Sequence, residues 1–344
     1  MPAVGEARGT NNFDFLRVVA AYLVIGSHQY ALLGHPEPRP LPFATWGTVG
    51  VYIFFVISGF LVAKSWRDDP NIWRFGVRRL LRIWPALTAV TVLTVLVLGP
   101  VATSLSAGGY FAHPATWTYL GNIAFFIQYQ LPGVFSLNPG GSAVNGSLWT
   151  IPVEVGCYLA LALVGGLGLL RWRWTLWLMW VGVVAMTSLI SDVGGGPGRY
   201  WSLELGGFFL SGMLLQYRLP APSRADIRMG LGLLLLGCFF WAGGLKVLAV
   251  VVALPFWVVW VGSRSWPCVS RTGRWGDPSY GLYLFAFPLQ QAVIAWFGAR
   301  LNVAQLTAVS VAMITLTAYL SWHTVERPAL RWKVRWFGSD RSRP

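Results

Sequence analysis

Arg17 and His28 lie eleven positions apart. At 100° per residue that is close to three full turns, so a helix would carry both on one face. An imidazole titrates near neutral pH and can take a hydroxyl proton as a general base. An arginine aligned beneath it can hold an anionic substrate or a developing oxyanion. Asp14, three residues before Arg17, is placed to pair with it. Glu154 is a second ionisable group inside an apolar run, Ser147-Leu-Trp-Thr-Ile-Pro-Val-Glu154. Rises of 1.5 Å per residue put His28 roughly 22 Å from the start of its run and Glu154 roughly 10 Å into its own from the opposite side. A carboxylate and an imidazole at similar depth could tune one another. The structural alternatives are a histidine bonded across a helix interface and a glutamate satisfied by Trp149 or by backbone near Pro152. Arg78, Arg79 and Arg82 form a third cluster, suited to polyphosphate because guanidinium binds phosphate oxygens in a bidentate manner. Plain membrane anchoring by positive charge is the alternative reading of that cluster.

These groups must be positioned by apolar helices. The chain has 344 residues, of which 55% are hydrophobic and only 11% charged. A soluble domain carries about 25% charged residues. Such a chain reads as an all-α, polytopic membrane helical bundle. The net charge of +14 comes from 23 Arg and 3 Lys. They sit in short loops between apolar runs, where they set topology and meet anionic lipid headgroups, so membrane lipids are expected partners and nucleic acid is not. The three cysteines show no metal or disulfide spacing, and no metal is expected.

Ten apolar runs are candidates for crossing the bilayer, near 13–34, 45–64, 83–103, 148–170, 174–190, 200–217, 229–245, 246–262, 279–298 and 303–325. With ten transmembrane helices and both termini cytoplasmic, the inside holds 22 basic residues and the outside only four: Arg39, Arg199, Lys246 and Arg300. Letting the ambiguous stretch Trp117–Leu131 cross as well would change the split to 11 and 15. The positive-inside rule therefore makes 104–147 one outer segment, with 117–131 folded against or dipping into the membrane. The organisation expected is a cytoplasmic tail over 1–12, one membrane-embedded domain over 13–326, and a basic cytoplasmic tail over 327–344. Lys64 is expected to snorkel, Lys246 to sit at a turn tip, and Glu204 to form a surface pair with Arg199.

Six stretches taken together resemble the integral-membrane acyltransferase 3 family, the bacterial O-acetyltransferases of surface glycans and antibiotics. They are Asp14-Phe-Leu-Arg17 leading to His28; Phe54-Phe-Val-Ile-Ser58-Gly59-Phe60-Leu61; Arg79-x-x-Arg82-Ile-x-Pro85; Ser147-Leu-Trp149 with Glu154 and Tyr158; Ser279-Tyr280 with Tyr283-Leu284; and Glu326-Arg-Pro328. The resemblance runs from about residue 11 to 330. Where many members carry a histidine shortly after the Tyr-Leu pair, this chain has Ala286, which leaves His28 as the main catalytic candidate. The 344 residues show no fused extracytoplasmic hydrolase-like domain, so the acceptor is expected to reach the membrane itself or through a partner protein.

The resemblance implies a multi-pass protein of the bacterial inner (plasma) membrane. It would move an acyl group, acetyl being the expected one, from cytoplasmic acyl-CoA to a hydroxyl of a sugar-containing acceptor such as a surface polysaccharide or its lipid-linked precursor. His28, Glu154 and Arg17 are the expected catalytic residues. Arg78, Arg79 and Arg82 would hold the CoA phosphates, and Asp14, Trp149 and Tyr158 would contact substrate. Direct transfer with His28 as base and an acyl-histidine intermediate both fit. A small glycosylated metabolite such as a macrolide is the alternative acceptor. A transporter or a non-catalytic scaffold is the alternative of another class, although no inverted repeat is visible.

Overall fold

A computed structural model describes residues 11–172, 174–192, 201–218 and 226–337. Among these residues the chain is helical, and its β-structure is limited to two isolated bridges, Leu41 with Ala44 and Thr103 with Val134. The long helices are α1 (Phe13–Leu32), α2 (Trp46–Asp68) and α3 (Ile72–Leu93). A π turn (Thr94–Leu98) carries α3 into α4 (Gly99–Ala102), followed by the short α5 (Ala107–Ala112) and α6 (Pro114–Thr118). Then come α7 (Thr150–Gly166), α8 (Thr175–Asp192), α9 (Trp201–Arg218), α10 (Asp226–Ala242), α11 (Lys246–Gly262), α12 (Ser279–Phe297) and α13 (Val303–Ser321). A second π turn (Trp322–Glu326) leads into α14 (Arg327–Phe337).

Among the described residues, each of the ten apolar runs read from the sequence is largely helical. Five helical stretches are long and apolar enough to cross a membrane: Phe13–Leu32, Trp46–Asp68, Ile72–Ala102, Gly146–Gly166 and Val303–Trp332. Each π turn stops two residues before a proline, Pro100 and Pro328. Proline has no N–H to donate and its ring crowds the preceding turn, so a widened turn accommodates it without breaking the helix.

The residues group into two compact units. The first consists of the chain up to Arg17, Val51–Phe75 and Val153–Trp275; the second of Val18–Gly50, Gly76–Pro152 and the chain from Gly276 on. In the first, α8 packs on α9, α10 packs on α11, and α11 also touches α8 and α9. Small residues allow a close crossing of α2 and α9. A side chain at Gly59 would strike the Phe209 carbonyl, and one at Gly212 would strike the Val56 carbonyl. This is how membrane helices approach when apolar burial alone does not drive them together. Asn12 ties the start of α1 to the end of α11, its Nδ2 donating to the Val261 carbonyl at 3.0 Å and its Oδ1 accepting from the Trp266 N–H at 3.3 Å.

In the second unit α12 and α13 pair along their length. The segment 104–147 is built from short helical turns and irregular chain. The stretch 117–131 contains the end of α6, the 3-10 turn Tyr119–Ala124 and irregular backbone. It has a core of its own, in which Tyr110, Tyr119, Leu131, Val134, Phe135 and Val144 are buried against Val95 and Ala292. Amides pin it down. Asn138 donates to the Gln291 carbonyl and side chain at 2.9 and 2.8 Å. Gln291 donates to the carbonyls of Gly141 and Ala143, both at 2.8 Å, and Asn145 donates to the Leu284 carbonyl at 3.0 Å. Bonds of this kind satisfy backbone groups that irregular chain would otherwise bury unpaired.

Candidate active site

His28 projects from α1 in the second unit and is partly buried. Its ring meets Phe287 of α12 edge-on, with centroids 5.3 Å apart. Phe287 itself lies against Gly146, where any side chain would collide with it. The Nδ1 atom of His28 is shut off from solvent and has no hydrogen-bond partner among the described residues. Its neighbours on the helix are engaged differently. Ser27 donates to Glu37. Gln29 is fully buried and accepts from Gln290 Nε2 at 2.8 Å, while the second proton of that amide goes to the Ile25 carbonyl at 2.9 Å. This leaves one donor, Gln29 Nε2, and one acceptor, Gln290 Oε1, buried and unpartnered. Nearby in chain from Gly146, Ser147 Oγ is in the same condition, although the Ser147 carbonyl accepts from Tyr283 at 2.9 Å and from Thr150 at 3.2 Å. Buried polar atoms are usually satisfied, so an open set of this kind marks a place for a water or a ligand.

Glu154, on α7 in the first unit, has a closed set of partners. Its carboxylate accepts from Ser58 at 3.1 Å and from Tyr158, and the two hydroxyls meet each other at 2.9 Å. Tyr158 is 6% exposed and stands edge-on to Phe75. A carboxylate accepting two hydroxyls is steadied in position as well as in charge. Glu154 and Tyr158, four residues apart on α7, stack on one helix face, and Ser58 comes from the Phe-Val-Ile-Ser-Gly stretch of α2. Glu204 accepts the Tyr52 hydroxyl; its expected partner, Arg199, lies outside the described residues. Arg17 is paired with Asp14 at 3.3 Å, as the spacing predicts. Trp149, half-buried, closes the 3-10 turn Gly146–Trp149 that opens into α7.

The arginine cluster lies on α3. Arg78 is buried, at 8% exposure. Arg82 meets Asp277 at 2.7 Å and Glu326 at 3.8 Å, both carboxylates being almost fully buried, and its guanidinium lies 5.7 Å from the Tyr280 ring centre. Asp277 also accepts the Ser279 hydroxyl and, at 3.3 Å, its N–H, which caps the first turn of α12. Glu326 belongs to one of the sequence motifs, whereas Asp277 is not among the residues singled out from the sequence. The signal for Asp277 was an Asp two residues ahead of a helix in Gly-Asp-Pro-Ser, a capping pattern. Among the described residues no cluster of His, Cys, Asp or Glu could hold a metal ion.

Comparison with known proteins agrees with this arrangement of motifs. Residues 10–322 match the acyltransferase domain of the acyltransferase 3 family. The chain belongs to this family. It is 29% identical to an O-acetyl transferase of Shigella phage Sf6, over 92% of this chain and 95% of the relative. It is 29% identical to nodulation protein 10 of Rhizobium leguminosarum, over 93% of each chain. It is 24% identical to the peptidoglycan O-acetyltransferase OatA of Listeria monocytogenes, over 81% of this chain and 49% of that longer protein. No solved structure matches the chain. The chain is thus an acyltransferase with O-acetyltransferase relatives, built on apolar helices of membrane-spanning length.

Proposed function

We propose that the chain transfers an acyl group, acetyl first among them, from cytoplasmic acyl-CoA to a hydroxyl of a sugar-containing acceptor. A surface polysaccharide or its lipid-linked precursor is the acceptor favoured, in a bacterial inner membrane that the chain crosses ten times with both termini inside. His28 is the general base. The observation that carries this assignment is its imidazole, which is partly buried, held edge-on by Phe287, and free of carboxylate or hydrogen-bond partners among the described residues. A histidine in that state has its lone pair available for the acceptor proton, and it stays equally open to forming an acyl-histidine. Arg17 serves as oxyanion or donor contact, with Asp14 fixing its position. Glu154 is a catalytic carboxylate steadied by Ser58 and Tyr158. Trp149 contributes to substrate contact.

Acyl-CoA phosphates are held by the arginine cluster. Arg82 is already matched by Asp277 and Glu326, so in this proposal it fixes the helix that presents Arg78 and Arg79. The likeness to the peptidoglycan O-acetyltransferase of Listeria monocytogenes supports the choice of acceptor class.

The test is CoA release by purified protein in nanodiscs, given acetyl-CoA with a sugar acceptor. Turnover by wild type and none by a normally inserted His28→Ala supports the reading. A fully active His28→Ala ends it. Topology is tested separately: a cysteine at Ser136 is expected to react with an impermeant reagent from outside, and labelling only after permeabilisation would overturn the ten-span arrangement.

A further inference from the structure

The first unit contains a cavity of about 690 Å³. It sits where α2 ends, α3 begins and α7 gives way to the 3-10 turn Leu169–Arg171, and Trp66, Arg67, Asn71, Trp73, Arg171 and Tyr217 are among the residues that line it. The volume falls in the range of small-molecule sites. None of the proposed catalytic residues lines it.

Its charge is uncancelled. Arg67 is held by oxygens that carry no charge: Nη1 reaches the Gln216 carbonyl at 3.3 Å, and the Gln216 side-chain amide, oriented with its oxygen inward, takes Nη2 at 2.8 Å. Arg171 ends a 3-10 turn that follows Gly168, whose φ of +73° makes the bend. Neither arginine has a carboxylate partner among the described residues. The acidic groups of the adjoining loop are engaged elsewhere, Asp68 with Lys64 and Asp69 with Arg74 at 3.0 Å. The walls are aromatic. Trp66 is 4% exposed and wedged against Phe75, whereas Trp73 is 70% exposed and offers a ring face. A side chain at Gly165 would strike the Trp66 indole and one at Gly166 would strike Ile72, so glycine is what leaves both walls in place.

One guanidinium held in place, Arg67, and a second, exposed one, Arg171, beside indole and phenol rings suit one ligand chemistry, a phosphate ester joined to a flat or apolar body. Guanidinium takes the phosphate oxygens in bidentate fashion, and the rings take the remainder. We infer that this cavity is a phosphate-ester site distinct from the arginine cluster of α3. Two sources present that chemistry: the adenosine bisphosphate end of the donor and an anionic phospholipid headgroup. Only the first rests on the acyl-CoA reading, and it would assign the adenosine bisphosphate end of the donor to this pocket in place of Arg78 and Arg79.

The experiment uses full-length protein in nanodiscs with no acceptor, so it is read without turnover. Adenosine 3′,5′-bisphosphate is titrated into wild type, Arg67→Gln, Arg171→Gln and Arg39→Gln in phosphatidylcholine discs. Retention of phosphatidylglycerol by the same four proteins is read by native mass spectrometry from mixed discs. One of the two probes is expected to bind wild type and to lose about tenfold in affinity in both pocket variants, with Arg39→Gln unchanged. Loss of the nucleotide identifies the donor as the source, and loss of the lipid identifies the headgroup. If neither probe separates the pocket variants from wild type, or if Arg39→Gln weakens binding equally, the inference fails. Failure of the acyl-transfer reading shows up independently, as a fully active His28→Ala.

Discussion

The surroundings of Arg82 and those of His28, both in the second unit, handle buried polarity in opposite ways. Arg82 is answered by Asp277 and Glu326 and lies near the Tyr280 ring, and Asp277 in turn takes up Ser279. That cluster is matched in charge, although Glu326 Oε2 takes no hydrogen bond and meets Arg82 only as an ion pair at 3.8 Å. The elements that carry His28 and its neighbour Phe287 keep polar atoms open: Nδ1 of the imidazole, the Gln29 donor and the Gln290 acceptor are buried without partners among the described residues, as is the Ser147 hydroxyl on the turn packed against α12. Buried charges matched by countercharges fix helices to one another, whereas neutral polar atoms left without partners carry a standing cost that a water or a ligand relieves. The difference separates residues that hold this fold from residues that wait for a substrate, in a chain where both kinds look equally anomalous in sequence.

The comparison breaks most sharply at His28. Replacing it with alanine should lower acyl transfer by about 10² to 10⁴-fold, the range for loss of a general base, while the detergent melting temperature stays near wild type. A large melting shift would make His28 a structural residue like Arg82. Arg82→Ala should do the reverse and destabilise by about 3–5 kcal/mol, because two buried carboxylates lose their counter-charge. Adding Asp277→Asn to Arg82→Ala should recover part of that loss in thermal unfolding. If the double variant is no more stable than Arg82→Ala, the ion pair is not what holds the cluster.

The Gln29–Gln290 pair gives a finer cut. Gln290→Leu alone strands the partner amide and should cost about 1–3 kcal/mol. The double change to leucine at both positions should be nearer neutral in stability, yet activity should stay low if the open donor and acceptor contact substrate. Recovery of full activity in the double variant would reduce the pair to packing. The smallest effect is expected at Ser58→Ala, which removes one of two hydroxyls from Glu154 and should cost about 0.5–1.5 kcal/mol, with Tyr158 keeping the carboxylate in place.

Much of the framework is legible in the sequence because long apolar runs admit few conformations other than helix: among the described residues the ten runs are largely helical, and five helical stretches are long and apolar enough to cross a membrane. The Asp14–Arg17 pair is legible for the same reason, since a three-residue offset places both on one face. The partners of Glu154 divide along this line. Tyr158 sits one turn away and is readable, whereas Ser58 is 96 positions distant and nothing local announces it. Gln290 and Asp277 were missed on similar grounds. An uncharged amide in an apolar run reads as tolerated polarity until its partner on another helix is known. An aspartate ahead of a helix reads as a cap, and here it is a cap that also receives an arginine from α3. The segment 104–147 resisted for a further reason: its order comes from amides bonding irregular backbone, which leaves no periodicity to detect.

The π turn at Trp322–Glu326 carries a consequence for descent as well as for geometry. A π turn amounts to one residue inserted into a helix, and it rotates everything after it by about 100° relative to an uninterrupted helix. Glu326 ends the turn, and Pro328 follows two residues later. Deleting one residue there would restore the helical phase and swing the carboxylate off its approach to Arg82, while leaving the proline without the wide turn that admits it. The acid, the proline and the extra residue therefore form a single heritable character. Relatives should keep all three or lose them together, and a chain that retains the glutamate but lacks the insertion must have rebuilt the opposite end of its ion pair.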